Sequence, residues 1–273
     1  MNLENNKGMA DLKDKVIWIT GASSGIGEAL AYACVAEGAK IIISARREEE
    51  LKRVAANCKT ETDRLFILPI DLEHTEKIEE KVTRVIAKFG RVDVLINNGG
   101  IAQRSIALKT QMDVERKIME INFFGTVALT KAVAQVMQKQ KSGKLVVVTS
   151  ILGKFGLPLY TTYAASKHAL YGYFESLREE LHADNIDVLI VSPGFINTDV
   201  GVKSLTEDGT EFNKKSKAQK GGMDPMDCAK RIVNAIKSNK HHKYIGNYEV
   251  LSVYIKQFFP KTFYKLMRRM TKK

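Results

Sequence analysis

Short runs of β-branched and other apolar residues alternate along the chain with stretches whose apolar positions recur every three or four residues. The runs at 16–20, 40–44, 65–70, 92–96, 144–149 and 186–192 read as buried strands, and a further short strand fits 243–246. The periodic stretches predict helices over 25–37, 75–89, 112–139, 160–183 and 225–238. Asp224 and Pro225 suit the start of the last one, because Asp caps free amides and Pro is tolerated at the first helical position.

Regular alternation of strand and helix implies a parallel sheet, since antiparallel neighbours do not need such long connections. The expected architecture is therefore α/β: a doubly wound parallel sheet of about seven strands with helices on both faces and ligands bound at the carboxyl ends of the strands. The segment 199–223 breaks the alternation with charges, glycines and few large apolar residues, and reads as a lid over that edge. The polar residues 1–14 read as a flexible leader, 15–250 as a single domain, and 251–273 as a basic amphipathic C-terminal segment.

Composition narrows the class. With 273 residues, 44% of them hydrophobic, the chain has enough apolar surface for one sizeable core. The apolar runs are strand-sized, well below the roughly 20 residues of a spanning helix, so a soluble protein is expected, and the cysteine usage fits a reducing cytoplasm. Three widely spaced cysteines and five histidines offer neither a disulfide framework nor metal-ligand spacing, and no metal is expected. The net charge of +12 is uneven: residues 1–202 carry 26 basic and 25 acidic side chains, whereas 203–273 carry 17 and 6. The C-terminal quarter thus offers a basic surface, and no nucleic-acid module accompanies it.

Thr20-Gly21-Ala22-Ser23-Ser24-Gly25-Ile26-Gly27 follows the first strand and opens the first helix, the setting of a dinucleotide loop. Gly21 permits the turn, Gly25 lets the backbone approach a pyrophosphate, Gly27 allows close packing of helix on sheet, and the helix amides face the anion. The second strand ends in Ser44-Ala45-Arg46-Arg47 with no carboxylate at its tip. A carboxylate there would repel a 2′-phosphate, whereas arginine binds one, so NADP(H) is favoured over NAD(H). The other reading makes Arg46 and Arg47 solvated charges that pair with Glu48, Glu49 and Glu50.

Tyr163 and Lys167 are four residues apart and share one helix face. A nearby ammonium favours phenolate, so Tyr163 is expected to exchange a proton well below its ordinary range. Ser150 follows the fifth strand at the carboxyl edge of the sheet, where its hydroxyl can orient a carbonyl; a serine there also serves as a turn or cap residue. Asn122 sits in the middle of a helical stretch that does not favour it, with a functional or a structural role.

Together these motifs resemble the short-chain dehydrogenase/reductase (SDR) family over roughly 15–245: the 20–27 loop, Asp71-Leu72, Asn97-Asn98-Gly99-Gly100, Asn122, Ser150, Tyr163 with Lys167, and Pro193-Gly194 with Thr198. The departure is Gly99, where the family usually has alanine. The resemblance implies a Rossmann-type fold, with Tyr163 as general acid/base and Ser150 positioning the carbonyl. Lys167 would bind the nicotinamide ribose and lower the Tyr163 pKa, and Asn122 would hold a relay water. Asp71 and Leu72 would meet the adenine, Asn98 and Gly100 would lie along the adenosine, Gly99 would belong to the same loop, and Pro193, Gly194, Ile196 and Thr198 would flank the nicotinamide. It also implies a small-molecule carbonyl or alcohol substrate and a homodimer or homotetramer.

Beyond Glu249 no acid occurs, while basic residues alternate with aromatic and aliphatic ones. Phe263, Leu266, Met267 and Met270 fall on one stripe that can pack on the body, cover the pocket or rest on an anionic membrane. The tail is similar to those of the hydroxysteroid dehydrogenase and microsomal dehydrogenase/reductase branch, which implies a lipophilic carbonyl. Two rival functions stand beside the enzyme: a non-catalytic NADP(H)-binding sensor or scaffold, and a membrane-surface module built on the tail.

Overall fold

The computed structural model describes residues 11–214, 220–238 and 240–271. Among the described residues seven strands form one sheet: β1 (Val16–Thr20), β2 (Lys40–Ser44), β3 (Leu65–Ile67), β4 (Val94–Asn97), β5 (Gly143–Val148), β6 (Ile186–Pro193) and β7 (His242–Ile245). Their order is β3-β2-β1-β4-β5-β6-β7 and every neighbouring pair is parallel. The doubly wound α/β fold expected from the alternation is the one observed.

The strands between the two edges, β3 and β7, are buried on both faces, so their alternate side chains feed two cores. Ile17 and Ile19 join Leu30 of α1 (Gly25–Ala36), Leu51 of α2 (Glu48–Asn57) and Ile232 of α7 (Pro225–Lys237). Val16 and Trp18 point the other way, to Val82 of α3 (Ile78–Phe89), Leu129 of α5 (Gly125–Gln140) and Phe174 of α6 (Thr161–Leu181). Trp18 is fully buried, and its indole N–H donates to Ser44 Oγ at 2.9 Å, which removes the cost of an unpaired donor.

Several elements depart from the pattern-based expectation. The helix α2 lies in a charged stretch with only Leu51 and Val54 buried, too narrow a stripe to stand out as periodic. The long helix over 112–139 is interrupted: α4 (Met112–Met119) passes through a π-helical turn, Glu120–Phe124, before α5. Such a widened turn leaves no mark on hydrophobic spacing, and it falls on Asn122. Of the expected leader, 1–10 lie outside the described residues, while 11–14 join the body: Leu12 is buried and Asp14 N–H donates to Gly38 O at 2.9 Å.

The segment expected as a lid is partly ordered by pairing. Leu205 N–H donates to Ala102 O and Leu205 O accepts from Arg104 N, both at 2.8 Å, and Met223 pairs with Ile196 at the far end. Residues 215–219 of it lie outside the described residues. The C-terminal helices α8 (Leu251–Phe258) and α9 (Pro260–Thr271) lie against the body through Val253 and Phe263, which share a small core with Phe155 and Leu152. Phe263 and Met267 of the predicted stripe therefore pack inward, whereas Leu266 is exposed; the side chain of Met270 lies outside the described residues.

Candidate active site

The sheet order reverses between β1 and β4, and at that switch point the connections leave a crevice at the carboxyl ends of the strands. A cleft of about 600 Å3 opens there. All the residues singled out for cofactor and catalysis line it except Gly27 and Asn122, which stand behind its wall.

The glycine loop is shaped by close approach. Gly21 and Gly25 have φ of +65° and +59°, the left-handed region that side chains resist. A Cβ on Gly27 would stand 2.2 Å from Gly21 O, so this position admits only glycine without a backbone shift. Thr20 Oγ1 accepts from the amides of Asn98 (3.0 Å) and Gly99 (2.9 Å), and Asn98 Nδ2 donates to Thr20 O at 3.0 Å. These bonds fasten the loop after β4 to the loop after β1 and leave the cradle open above them. A Cβ on Gly99 would meet Leu72 Cδ1 at 2.8 Å, so Leu72 occupies the space that an alanine methyl would need.

At the tip of β2, Arg47 Nη2 donates to Ser23 Oγ at 2.9 Å and to Ser24 Oγ at 3.2 Å. Arg46 is exposed at the cleft. The other reading, in which these two arginines pair with the following glutamates, does not describe the structure. It is Arg53 and Lys52 that pair with Glu48, Glu49, Glu50 and Glu28.

Tyr163, in the first turn of α6, is hydrogen-bonded by the Ser150 hydroxyl. Ser150 caps the short 3-10 helix Ile151–Gly153, its Oγ accepting from Leu152 N at 3.1 Å. The cap role read from the sequence is thus the one observed, on a side chain that also lines the cleft. Burial pushes the Tyr163 phenol up to about 12, against the lowering effect of the Ser150 bond. This differs from the lowered value expected from Lys167. The buried lysine amine is itself depressed to about 8, donates to Val148 O at 3.1 Å, and stands 5.8 Å from the tyrosine ring centre. Desolvation therefore sets the direction for both groups in this geometry.

Asn122 is fully buried in the π turn. Its Nδ2 donates to Ile101 O (2.9 Å) and Ser166 Oγ (3.0 Å), and its Oδ1 accepts from Ile101 N (2.8 Å). The side chain thereby ties the loop after β4 to α6, and both Asn122 Oδ1 and Lys167 Nζ lie close to Gly100. On the opposite wall Thr198 closes over Gly25, where a Cβ would stand 3.0 Å from its Cγ2.

Two buried polar residues that support the loops and helix around the cleft escaped the sequence reading. Glu249 is buried beside the loop after β6 and accepts from Phe195 N (3.0 Å) and Asn247 N (3.1 Å). Gln103 is fully buried at the start of α6. An isolated acid or amide between strands carries no spacing signal; only its burial reveals it. Of the rival tyrosines, Tyr160 lines the cleft, whereas Tyr171 lies behind it, bonded to Ser192 and, at 2.6 Å, to His242 Nε2.

The model of the short chain dehydrogenase family matches residues 15–209. The chain belongs to this family. An Anopheles gambiae protein named dehydrogenase/reductase SDR family protein 7-like is 38% identical over 277 residues, spanning 99% of this chain and 87% of that one. Such a relative agrees with the dehydrogenase/reductase branch expected from the tail. Two more distant solved structures share the fold. An alcohol dehydrogenase from Thermococcus sibiricus complexed with 5-hydroxy-NADP is 22% identical (TM-score 0.74, 86% of this chain, 97% of that one). A Burkholderia phymatum SDR in complex with NAD is 19% identical (TM-score 0.81, 90% and 94%). The protein is thus an SDR-family oxidoreductase with a Rossmann nucleotide-binding fold, whose structural neighbours bind NAD in one case and an NADP derivative in the other.

Proposed function

We propose that the protein is an NADP(H)-dependent reductase of a lipophilic carbonyl compound, with oxidation of the corresponding alcohol as the reverse. The observation that carries this reading is the placing of Tyr163, Ser150 and Lys167 in the same cleft as the glycine loop and Arg46-Arg47.

The cradle suits a dinucleotide: two left-handed glycines, the Ser23 and Ser24 hydroxyls, and a guanidinium on them. Gly21, Ser23, Ser24, Gly25 and Ile26 would hold the pyrophosphate, Arg46 and Arg47 the 2′-phosphate, and Asp71 and Leu72 the adenine. Asn98, Gly99 and Gly100 would lie along the adenosine side, with Pro193, Gly194, Ile196 and Thr198 about the nicotinamide. When bound, the dihydronicotinamide supplies the hydride. Ser150 Oγ orients the substrate oxygen, and Tyr163 Oη gives it a proton as the carbon is reduced. A phenol held protonated at neutral pH is suited to that acid role. Lys167 holds the ribose hydroxyls and, when charged, stabilises the phenolate left behind. Asn122 fixes the loop that carries Gly100 and stands beside the proton path.

Leu152, Leu157, Tyr160, Phe195 and Leu205 line the rest of the cleft and support an apolar substrate. This complete set of groups favours the enzyme over a non-catalytic sensor. A panel of carbonyl compounds assayed by loss of NADPH absorbance, with NADH alongside, tests the reading; turnover with neither cofactor would overturn it.

Peripheral attachment of a cytoplasmic enzyme to an anionic bilayer is part of the same reading. Among the described residues no helix is long and apolar enough to cross a membrane. Tyr254, Phe258, Phe259, Tyr264 and Leu266 are exposed on α8 and α9 beside Lys261, Lys265 and Arg269. Co-sedimentation with phosphatidylserine-containing but not neutral vesicles is the expected result. Assembly as a homodimer or homotetramer through α5 and α6 is the expected state, and light scattering after gel filtration reads it directly.

A further inference from the structure

The catalytic helix begins without a cap of its own. An α-helix leaves its first amides unpaired, and a side-chain oxygen just ahead of it normally accepts from the second or third. Here the residue ahead of α6 is Tyr160, which makes no such bond. The chain arrives through Leu159 at φ +73°, a left-handed conformation unfavourable for a branched side chain. Tyr163 is the third residue of this uncapped start.

Gln103, from the loop after β4, supplies what is missing. It is fully buried, and its Oε1 accepts from Thr162 N at 2.9 Å and Tyr163 N at 3.4 Å, the two amides that a local cap would hold. Its Nε2 faces three hydroxyl oxygens: Ser105 Oγ at 3.0 Å, Thr110 Oγ1 and Thr161 Oγ1 at 3.3 Å. The adjacent Ser105 N–H donates to Leu159 O at 3.0 Å and so anchors the strained entry. The Gln103 backbone runs beside Leu205 of the lid, flanked by the Ala102 and Arg104 bonds to that residue.

We propose that Gln103 is the positioning residue for Tyr163: it caps the catalytic helix from a distant loop and ties the height of the phenol to the lid segment around Leu205. Gln103 touches neither reacting atom; it acts by holding the backbone from which the phenol hangs. Misplacing a catalytic group by about 1 Å costs up to roughly a hundredfold in rate, so a frayed start to α6 acts on the chemical step more than on cofactor binding. This inference rests on the role proposed for Tyr163.

Three forms of the full chain decide it: wild type, Gln103→Leu and Gln103→Glu. Leucine keeps the volume and removes the acceptor, while glutamate keeps an acceptor for both amides and can accept from the Ser105 and Thr161 hydroxyls. For Q103L, the expected result is a fall in kcat of about ten- to a hundredfold. Its NADPH Kd stays within about twofold of wild type, and backbone amide exchange is faster at 161–164 than at the end of α6. Q103E recovers most of kcat and slow exchange. If Q103L does not fold, Gln103→Asn, too short to reach the amides, takes its place with the same expectation. A Q103L enzyme with kcat near wild type, or a kcat loss of equal size in Q103E, overturns the proposal, as does unchanged amide exchange. Failure of the reductase reading shows differently: wild type itself does not turn over, while the exchange difference between Q103L and Q103E persists.

Discussion

The guanidinium of Arg47 reaches across the mouth of the glycine loop to Ser23, Nη2 to Oγ at 2.9 Å. It thus stands over the loop that would hold the pyrophosphate, where a 2′-phosphate would meet it. A charged hydrogen bond of this kind is worth about 1.5–3 kcal/mol, or roughly ten- to a hundredfold in affinity. Arg47→Glu is therefore expected to raise the KM for NADPH by at least tenfold and to leave that for NADH unchanged or improved. Steady-state kinetics with both nucleotides check this.

The glycines of the site are not equivalent. In Gly27→Ala the new methyl meets a backbone carbonyl at 2.2 Å and cannot be accommodated by a side chain turning away. Dinucleotide binding is expected to be lost. In Gly99→Ala the obstacle is the end of Leu72, which can rotate, so a cost of about 1–3 kcal/mol in stability with binding retained is expected. Isothermal titration beside thermal melting separates the two cases.

How much of this was legible in the sequence follows from which signals are periodic or local. Strand and helix alternation carried the topology because buried strands and half-buried helices have distinct spacings, and Tyr163-Lys167 and the glycine loop are local patterns. The helix α2, the π turn at Asn122 and the cap from Gln103 were not legible. The first has two buried apolar residues, the second changes backbone pitch without changing composition, and the third joins residues 59 positions apart. The Tyr163 pKa expectation failed for a related reason: burial is a property of the folded cleft, and it raises the phenol where the spacing to Lys167 alone suggests a lowering.

Glu249 joins the loop after β6 to the one after β7 by accepting from Phe195 N and Asn247 N. Alanine leaves two amides without their acceptor. Glu249→Ala is expected to lose about 1–3 kcal/mol of stability, read by denaturant titration, and to raise the KM for the cofactor, because Gly194 and Ile196 lie in the loop it holds.

His242 gives the fold an acid-side pH dependence. Burial, with smaller contributions from the charges of Lys154 and Arg178, lowers its pKa to about 4 from the ordinary 6.5. Its ring lies among the Tyr171 and Ser192 hydroxyls and the Tyr244 ring. The folded state binds this proton less readily than the unfolded state, so its contribution is present above pH 6.5 and is lost as pH falls towards 4. The melting temperature of wild type should fall more steeply over that window than that of His242→Gln, and equal slopes would refute the assignment.

The central claim is that the Tyr163 hydroxyl hands its proton to the substrate oxygen. Single-turnover reduction of a carbonyl substrate by Tyr163→Phe preloaded with NADPH tests it most directly, since phenylalanine keeps the ring and removes only the acid. A rate at least a hundredfold below wild type, with NADPH affinity unchanged, is the expected result; a rate within a few-fold of wild type would contradict the account.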